Sequence, residues 1–337
     1  MDRLLEDLIA RRALFRVAGA AVLAAPAAVL AQTTARVHRL GLLAPTPPPT
    51  PADGTAAVRS VPAFLEEMGY RPGRNLVLEQ RYAAGRLERL PALARELVRA
   101  RIDVIVAIGA AATRAARAAS TTVPVVFLGN FDPIAIGLVK SLARPEANVT
   151  GVLIAPAGTL AGKKLELLKA AVPRATRIAL LSHEDPGLRA QEQETDAAAV
   201  ALGIALPVTR VVGGDYERAF TALVADRPDA LFVGASTYFM RDRKRIIELA
   251  ARHRLPAIYE WPEQVEEGGL MSYGSDLGAT TRRVAQYVDR IFKGARPGDL
   301  PVEQPTELQL VVNLRTARAL GLDLSPALLA RAARVIE

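Results

Sequence analysis

The stretch Arg101-Ile-Asp-Val-Ile-Val-Ala-Ile-Gly-Ala-Ala-Ala-Thr113 decides the fold. Its continuous apolar run is typical of a parallel strand that is covered on both faces, and the small residues after it lead into a helix. A second copy, Arg227-Pro-Asp-Ala-Leu-Phe-Val-Gly-Ala-Ser-Thr237, keeps the Arg-x-Asp, the apolar run, the Gly-Ala and the Thr. In an open parallel sheet, ligands bind at the carboxyl ends of the strands, where helix N-termini present free N–H groups. Two such edges predict two lobes that face one ligand.

The match between the two copies extends on both sides of this core. Three further pairs of segments correspond: Arg39–Ala44 with Arg177–Ser182, Leu65–Gly69 with Val200–Gly203, and Val123–Phe127 with Leu255–Tyr259. Each unit takes roughly 80 residues, which fits a βαβαβ half domain better than a short solenoid repeat. The sequence therefore predicts an α/β fold of two doubly wound, Rossmann-like lobes.

The order of the segments also predicts how the two lobes divide the chain. We expect lobe 1 to take residues 36–150 and about 277–310, and lobe 2 to take residues 151–276 and about 311–337. Ser141–Gly151 is interpreted as the first crossing between lobes, and Pro326–Val335 as helical. A chain that visits the lobes in this order crosses about three times, and the crossings form a hinge.

The N-terminal residues have the layout of an export signal. Arg11-Arg12 and Arg16 precede Val17–Leu30, an uncharged run that is too short to span a bilayer comfortably. With the small Ala31 after it, this pattern predicts a cleavable signal peptide over residues 1–31, exported by the Sec or the twin-arginine route. The alternative is an amphipathic or anchoring N-terminal helix. After cleavage we expect a periplasmic monomer that does not itself span the membrane.

The composition excludes several chemistries and partners. None of the 337 residues is a cysteine, which rules out disulfides, thiol nucleophiles and Cys-ligated zinc. The net charge of +8 could suggest nucleic acid, but the arginines are spread along the chain and no aromatic residues alternate with them. The one dense cluster, Arg241-Asp-Arg-Lys-Arg245, is interpreted as a solvated helix face. We therefore expect no nucleic-acid partner.

Motifs for catalysis, metals and cofactors are missing from the sequence. There is no nucleophile elbow, no H-E-x-x-H pair and no G-x-G-x-x-G after a strand. Gly158–Lys163 has three residues between its glycines where a phosphate-binding loop needs four. The three histidines are far apart and give no metal-ligand spacing. The sequence thus predicts a binding protein without a cofactor or a metal, and not an enzyme.

The residues that follow the predicted strands suit binding. Small residues at the helix starts let a ligand approach free N–H groups, which favour a carboxylate, and hydroxyls there could bind the ligand or cap the helix. Tyr238, Trp261 and Tyr273 could stack on a ligand or fill the core, and Glu260 and Asp276 could bind an ammonium group. The candidate ligand-binding residues are Ala44, Pro45, Ala110, Ala111, Thr113, Asn130, Asp132, His183, Glu184, Ser236, Thr237, Tyr238, Glu260, Trp261, Tyr273 and Asp276.

Seven blocks of the sequence together carry a resemblance to a known family: Leu65–Asn75, Arg89–Val98, Ser141–Pro145, Asn148–Gly151, Ala161–Lys169, Gly269–Gly274 and Leu300–Thr306. They resemble the ABC-transporter substrate-binding proteins that include tryptophan- and tyrosine-binding members. The resemblance covers residues 38–337. It implies a type I periplasmic binding fold, with two lobes joined by three crossings and a ligand that is delivered to a membrane permease.

Three departures from the family pattern lie at predicted edges of the cleft. Where members often have Gly-Thr-Pro-Ala, this chain has Gly109-Ala-Ala-Ala112, which removes one hydroxyl. Ser182-His-Glu-Asp-Pro186 stands in place of an Asn-Pro-rich turn, and Glu260-Trp261 in place of a smaller pair. The resemblance therefore says more about the fold than about the ligand.

These observations lead to a functional hypothesis with two rivals. We expect the solute-binding component of an ABC importer, with a small-molecule ligand and an inner-membrane permease as its partners. Closure of the hinge would capture an amino acid, aromatic ones among the candidates, or another carboxylate. The rivals are a periplasmic ligand-sensing protein for a signalling partner and an α/β enzyme on a doubly wound fold.

Overall fold

The computed structural model describes residues 36–49, 60–155, 160–185 and 188–337, so the expected signal peptide lies outside the described residues. The strands are β1 (His38–Ala44), β2 (Leu76–Tyr82), β3 (Val104–Ile108), β4 (Val125–Gly129), β5 (Val149–Leu153), β6 (Ile178–His183), β7 (Val208–Val211), β8 (Ala230–Val233), β9 (Ala257–Tyr259), β10 (Met271–Gly274), β11 (Gln309–Asn313) and β12 (Arg334–Ile336). The α-helices are α1 (Val61–Glu67), α2 (Leu90–Arg99), α3 (Gly109–Ala119), α4 (Leu160–Ala171), α5 (Arg189–Ala201), α6 (Tyr216–Ala225), α7 (Thr237–Arg241), α8 (Arg243–Arg252), α9 (Pro262–Glu266), α10 (Leu277–Phe292), α11 (Leu314–Leu320) and α12 (Pro326–Leu329).

Lobe 1 is built on a parallel sheet with the strand order β2-β1-β3-β4-β5. Its central strands are apolar throughout because both faces of the sheet are covered. In β3, Val104 and Val106 pack into one buried cluster, and Ile105 and Ala107 into the cluster on the opposite face. The long helix α10 returns from the second half of the chain and contacts β3, β4 and β5.

Lobe 2 repeats this arrangement and extends it. Its sheet has the order β12-β11-β10-β9-β8-β6-β7, in which β7-β6-β8-β9-β10 reproduces the order of the first sheet. The β10–β11 pair is antiparallel, and the other pairs are parallel. Leu180 and Phe232 pack on one face of the sheet, and Leu181 and Val233 on the other. The prediction of two related, doubly wound lobes is confirmed.

The repeated Arg-x-Asp has the same structural role in both lobes. The arginine turns the chain towards the strand in the left-handed region, with φ of 53° at Arg101 in the first copy. Asp103 accepts the backbone N–H of Arg39 at 2.7 Å, and Asp229 accepts that of Arg177 at 2.9 Å. Each carboxylate thus fixes the start of one strand, β1 or β6, to the start of its neighbour.

In the part of the chain that the structure describes, three segments connect the lobes: immediately after β5, between β10 and α10, and just before β11. Hydrogen bonds tie these segments together. The Ser275 hydroxyl donates to the Ile154 carbonyl at 2.6 Å, and the Leu153 N–H donates to the Glu303 carbonyl at 2.8 Å. The connections therefore lie side by side as one hydrogen-bonded strip.

Two expectations about chain segments are wrong. Ser141–Gly151 is not a crossing, because β5 begins inside it and pairs with β4, so the chain leaves the first sheet only after Leu153. The helix expected over Pro326–Val335 ends at Leu329, because the residues near the end of the chain pair with β11 as β12.

The basic cluster on α7 and α8 is also not the solvated face that the sequence predicts. Arg243 is fully buried. Its guanidinium donates to the Met240 carbonyl at 2.9 Å and to the Glu267 carboxylate at 2.7 Å. The side chain therefore joins α7 and α8 to the end of α9, and only its neighbours display charge at the surface.

Candidate ligand-binding cleft

The carboxyl ends of the two sheets line a common cleft, which is where doubly wound sheets bind ligands. We call the space at its centre the first chamber. It measures about 570 Å³, including the open solvent at its mouth. Residues that end or follow strands of both lobes line it: Pro45, Ile108, Gly109, Ala110, Ala111, Gly129, Asn130, Ile154, Asp185, Leu188, Ala235, Ser236, Thr237, Tyr238 and Trp261.

On the lobe 1 side, the first chamber meets the N-terminus of α3. Gly109 has φ of 79°, a left-handed conformation that turns β3 directly into the helix. Within the described residues no side chain caps this end, so the N–H groups of Ala110 and Ala111 have no intrahelical partner and remain for a ligand. The helix dipole favours an anion at this position by about 0.3–1 kcal/mol.

On the lobe 2 side, Tyr238 forms a flat wall. Ser236 accepts the Tyr238 N–H at 3.2 Å and so begins α7. The Tyr238 ring stacks on His183 with the ring centroids 4.0 Å apart and the planes 7° from parallel. Burial raises the pKa of Tyr238 to about 12 and lowers the pKa of His183. Both rings are therefore neutral near pH 7, and the wall is apolar.

Trp261 reaches from lobe 2 into lobe 1. It is 2% exposed and belongs, with Met240, to the buried cluster that also holds Leu128 and Ile154. Its indole N–H has no hydrogen-bond partner within the described parts of the chain, although a buried indole N–H usually has one. The ring lines the first chamber, but its Nε1 atom is itself buried from solvent.

A second chamber lies beside the first and shares Ala110 and Asn130 with it. It measures about 1000 Å³, again including open solvent. Many of its lining residues are polar or charged, in contrast to the first chamber. They are Ala110, Arg114, Asn130, Phe131, Asp132, Ala135, Ile136, Ala155, Leu160, Ala161, Lys164, Ala190, Gln191, Glu194, Thr195, Phe232 and Glu260.

A buried ion pair stands in the wall of the second chamber. Lys164 donates to Oε2 of Glu260, and the two side chains are 4% and 1% exposed. The ammonium also lies 5.0 Å from the ring centroid of Phe232. The other carboxylate oxygen, Oε1 of Glu260, has no hydrogen-bond partner in the ranges that the structure covers. Such a group is costly to bury unless something completes its hydrogen bonds.

Gln191 of α5 positions the turn that carries the Tyr238 wall. Its side-chain oxygen accepts the backbone N–H of Ala235 at 3.0 Å. A Cβ at Gly234 would stand 2.8 Å from that oxygen, so a glycine is needed for the approach. The contact connects the second chamber, which Gln191 lines, to the first.

The predicted site residues divide into two groups. Ten of them line a chamber: Pro45, Ala110, Ala111, Asn130, Asp132, Ser236, Thr237, Tyr238, Glu260 and Trp261. Six line neither chamber: Ala44, Thr113, His183, Glu184, Tyr273 and Asp276.

The residues of the second group have structural partners. Thr113 donates its hydroxyl to the Gly109 carbonyl at 2.7 Å within α3. Asp276 accepts the N–H of Ala279 at 2.8 Å and so caps α10. Tyr273 packs against a buried cluster of lobe 2. His183 stands behind Tyr238, as described above, while Glu184 is exposed and accepts a backbone N–H from the next turn.

The sequence prediction missed Lys164, Gln191 and Glu194, which come from helices and not from strand ends. One signal for Lys164 is present in the sequence. The residue falls four positions from both Leu160 and Leu168, in the apolar stripe of α4, and a charge in such a stripe must be buried. Gln191 and Glu194 carry no comparable signal, because polar residues are ordinary on an amphipathic helix.

A match over most of the sequence shows which protein family this chain belongs to. The profile of the family described as ABC transporter substrate binding protein matches residues 54–336. The chain belongs to this family. The resemblance found in the sequence is thus confirmed. A relative named "Tyrosine-binding protein", from Clostridioides difficile strain R20291, is 25% identical over 268 residues, which is 77% of this chain and 74% of the relative.

Two solved structures illustrate the shared fold. A conserved domain protein from Vibrio cholerae is 26% identical, with a TM-score of 0.78, and the match covers 89% of this chain and 100% of that one. The ABC domain in complex with L-Trp from Streptococcus pneumonia is 24% identical, with a TM-score of 0.77 and the same coverage. Both agree with the type I periplasmic binding fold.

Membership in this family answers the expectations about location, enzymatic activity and partners. ABC substrate-binding proteins are extracytoplasmic binding proteins and not enzymes, and they have a small-molecule ligand and a membrane permease as partners. No helix in the described ranges has the length and apolar character needed to cross a bilayer. Across the same ranges, no group of three or more His, Asp or Glu side chains is placed to hold a metal ion.

Proposed function

We propose that this protein is the periplasmic solute-binding component of an ABC importer and that its two lobes close around an aromatic amino acid. The observation that carries the proposal is the first chamber. There the uncapped N-terminus of α3 in lobe 1 faces an aromatic wall, Tyr238 and Trp261, in lobe 2. A ligand with a carboxylate and an aromatic ring would contact both sides at once.

The two sides contribute to affinity through different interactions. A carboxylate at α3 would gain about 0.3–1 kcal/mol from the helix dipole, besides the hydrogen bonds of two N–H groups. Burying an aromatic ring of about 150–250 Å² at about 25 cal/mol per Å² is worth roughly 4–6 kcal/mol. Two hydrogen bonds to a charged carboxylate add about 1.5–3 kcal/mol each. The ring and the carboxylate would therefore contribute similar amounts, and the carboxylate would also fix the orientation of the ligand. Ile108, Ile154 and Leu188 complete the apolar lining.

The relatives support the same class of ligand. One relative is named for tyrosine, and one solved structure of the same fold was determined with L-Trp. Capture by closure follows from the placement of the chamber, because a ligand between the lobes contacts both walls only when the cleft is shut.

Export is part of the proposal. Arg11-Arg12 and Val17–Leu30 have the layout of a signal peptide, and the expected cleavage follows Ala31. Intact-mass measurement of the protein from the periplasmic fraction of its native host tests this step. A mass that still includes residues 1–31 would refute cleavage at this site.

Ligand binding is tested by calorimetry and thermal shift with L-tryptophan, L-tyrosine and L-phenylalanine against L-glutamate, ribose and adenosine. A ligand at 100 times its Kd should add about 2.7 kcal/mol to the free energy of unfolding. Stabilisation by ribose or adenosine and by no amino acid would overturn the ligand class. Loss of labelled amino-acid uptake on deletion of the gene tests the direction of transport.

A matched pair of variants connects binding to the first chamber. Ala110→Leu adds bulk at a residue that lines both chambers and should weaken binding by at least about tenfold. Ala118→Leu adds the same bulk on the exposed side of α3 and should leave binding unchanged. Equal affinities for the two variants would place the site elsewhere.

A further inference from the structure

A third pocket lies in lobe 2, outside the cleft. It measures about 510 Å³, including the open solvent at its mouth, which is within the range of ~300–1,000 Å³ for small-molecule sites. Its lining comes from α8, α11 and the turns that lead into β9 and β10, and it shares no residue with either chamber of the cleft. The cleft lies at the carboxyl ends of the strands, whereas this pocket lies towards the amino ends of β9 and β10. We call it the rear pocket.

The walls of the rear pocket are mostly apolar. Ile247 and Ala250 of α8 and Leu270 before β10 are buried residues of the lining. Thr316 of α11 also lines the pocket, but its hydroxyl already donates to the Gly268 carbonyl at 2.9 Å. Such walls favour a molecule with an apolar body, because its surface leaves water on binding.

The Tyr259 side chain extends from β9 towards the rear pocket. Met271 of β10 pairs with Ile258, so Gly269 lies closer to the amino end of the sheet than Tyr259 does. A Cβ at Gly269 would stand 2.7 Å from Cε2 of the Tyr259 ring. The ring therefore runs back along the sheet, away from the cleft, and lines the rear pocket.

The hydroxyl of Tyr259 is buried without a partner in the described parts of the chain. Five tyrosines are buried there, and the hydroxyls of Tyr70, Tyr216 and Tyr287 donate to protein oxygen atoms at 2.6–2.8 Å. Those of Tyr238 and Tyr259 bond to no described residue, and each of these two side chains lines a pocket. Tyr259 is 1% exposed, and burial raises its pKa, so the hydroxyl stays protonated. A buried tyrosine hydroxyl usually has a partner, and here the rear pocket is where an acceptor can reach it.

Arg254 adds a positive charge to the rear pocket. The residue is exposed in the turn before β9, and it makes no ion pair with the residues that the structure describes. Its near neighbour Arg252, by contrast, is paired with Glu217 and Glu248 at 3.2 and 3.0 Å. An unpaired cation in the lining favours an anion over an uncharged molecule.

We propose that the rear pocket is a second binding site, which takes a small carboxylate with an apolar body and binds it through the Tyr259 hydroxyl. The hydroxyl donates to the carboxylate, the charge of Arg254 favours the anion, and the apolar walls hold its body. The inference does not depend on which solute the cleft binds. The strand that carries Tyr259 continues into Glu260 and Trp261, which line the cleft, so β9 connects the two sites.

Hexanoate and 1-hexanol test the inference by calorimetry, since they share an alkyl chain and differ in charge. Both are titrated into the Ala110→Leu variant, in which the added bulk keeps the cleft from contributing. Hexanoate should still bind to this variant, about fivefold or more tightly than 1-hexanol. Absence of hexanoate binding to Ala110→Leu, or equal binding of the two probes, overturns the inference.

Tyr259→Phe, made in the same background, removes the hydroxyl and keeps the ring. It should weaken hexanoate binding by at least about tenfold and leave Tm unchanged, because the hydroxyl has no partner in the described protein. Tyr216→Phe is the control from the same buried cluster. It loses a 2.6 Å bond to Asp242, so it should lower Tm without weakening hexanoate binding. Equal losses of Tm in the two variants would overturn the inference in favour of a structural role for the Tyr259 hydroxyl.

Two further pairs of variants locate the site. Ala251→Leu adds bulk at the exposed rim of the rear pocket and should weaken hexanoate binding by at least about tenfold, whereas Ala222→Leu, exposed on α6 outside the pocket, should not. Arg254→Gln should weaken it by about two- to fivefold, and less at high salt. Arg227→Gln, outside the pocket with a similar φ of 51°, should have no effect. Equal affinities within the alanine pair would overturn the inference, and the proposed function would stand, since its tests use other residues.

Discussion

Substituting Lys164→Met should strongly destabilise lobe 2. The ammonium is the hydrogen-bond partner of a carboxylate in a wall where the two side chains are 4% and 1% exposed. Once it is removed, Glu260 keeps a buried charge with neither oxygen paired, in a wall that Phe232 also lines. The cost comes from this uncompensated charge and not from the value of the pair itself.

The size of the effect follows from measured cases of the same kind. Removing one partner of a buried pair costs about 3–5 kcal/mol. At about 2–4 °C per kcal/mol for a domain of about 150–250 residues, Tm should fall by roughly 10 °C. Glu260→Gln should lose a similar amount because it leaves the buried ammonium without a countercharge. The double variant Lys164→Met/Glu260→Gln should be more stable than either single variant, since no charge stays buried.

Urea denaturation followed by circular dichroism measures these differences. The single tryptophan of the chain, Trp261, follows Glu260 directly in the sequence and reports on unfolding between the lobes by fluorescence. Lys163→Met is the matched control, because Lys163 is 42% exposed on the same helix and should change stability by less than about 0.5 kcal/mol. Equal losses for Lys163→Met and Lys164→Met, or simple addition of the two single losses in the double variant, would refute the reasoning.

Three further predictions concern stability. Gly151→Ala should lower the free energy of unfolding by about 1–3 kcal/mol or more in urea denaturation, because the added Cβ would stand 2.4 Å from the backbone carbonyl oxygen of Phe127. Gly162→Ala, with 3.7 Å to the nearest atom in a helix, should gain about 0.5–1 kcal/mol, and the reverse order would contradict the steric argument. Burial holds the pKa of His183 below its ordinary value of 6.5. The unfolded chain therefore takes up the proton more readily, and the free energy of unfolding falls as the pH drops below 6.5. Denaturation curves at several pH values should show a weaker dependence on pH for His183→Asn. Asp276→Ala removes the cap of α10 and should cost about 1 kcal/mol, whereas Asp276→Asn should cost less, and equal losses would argue against the cap.

The sequence predicts the buried central strands of this fold more clearly than the elements that depend on a distant partner. The runs before Gly109 and Gly234 are apolar on both faces, so their positions follow from burial alone. β5 is misread because Ser141–Gly151 contains turn residues, and only pairing with β4 makes its end a strand. β12 is three residues long and exists because β11 offers it a free edge. Elements that depend on a distant partner have no local pattern to reveal them.

The residues of the cleft also fall into those that the sequence could predict and those that it could not. Pro45, Ala110 and Asn130 could be predicted because the end of a parallel strand is a fixed place in the fold. Glu194 could not, since its position in the second chamber depends on how α5 packs beside the cleft. A residue type says what a side chain can bind, but helix packing decides which space it faces.

The hydrogen-bonded strip between the lobes has a consequence for how the specificity of such a receptor can change. Ser275 is hydrogen-bonded to Ile154, and Leu153 to Glu303. The three connecting segments therefore cannot slide past one another without breaking these bonds. We expect them to bend together about one axis, so that the approach of the walls is the same whatever molecule lies between them. Substitutions in the walls can then alter which solute is accepted while the path of the movement stays as it was.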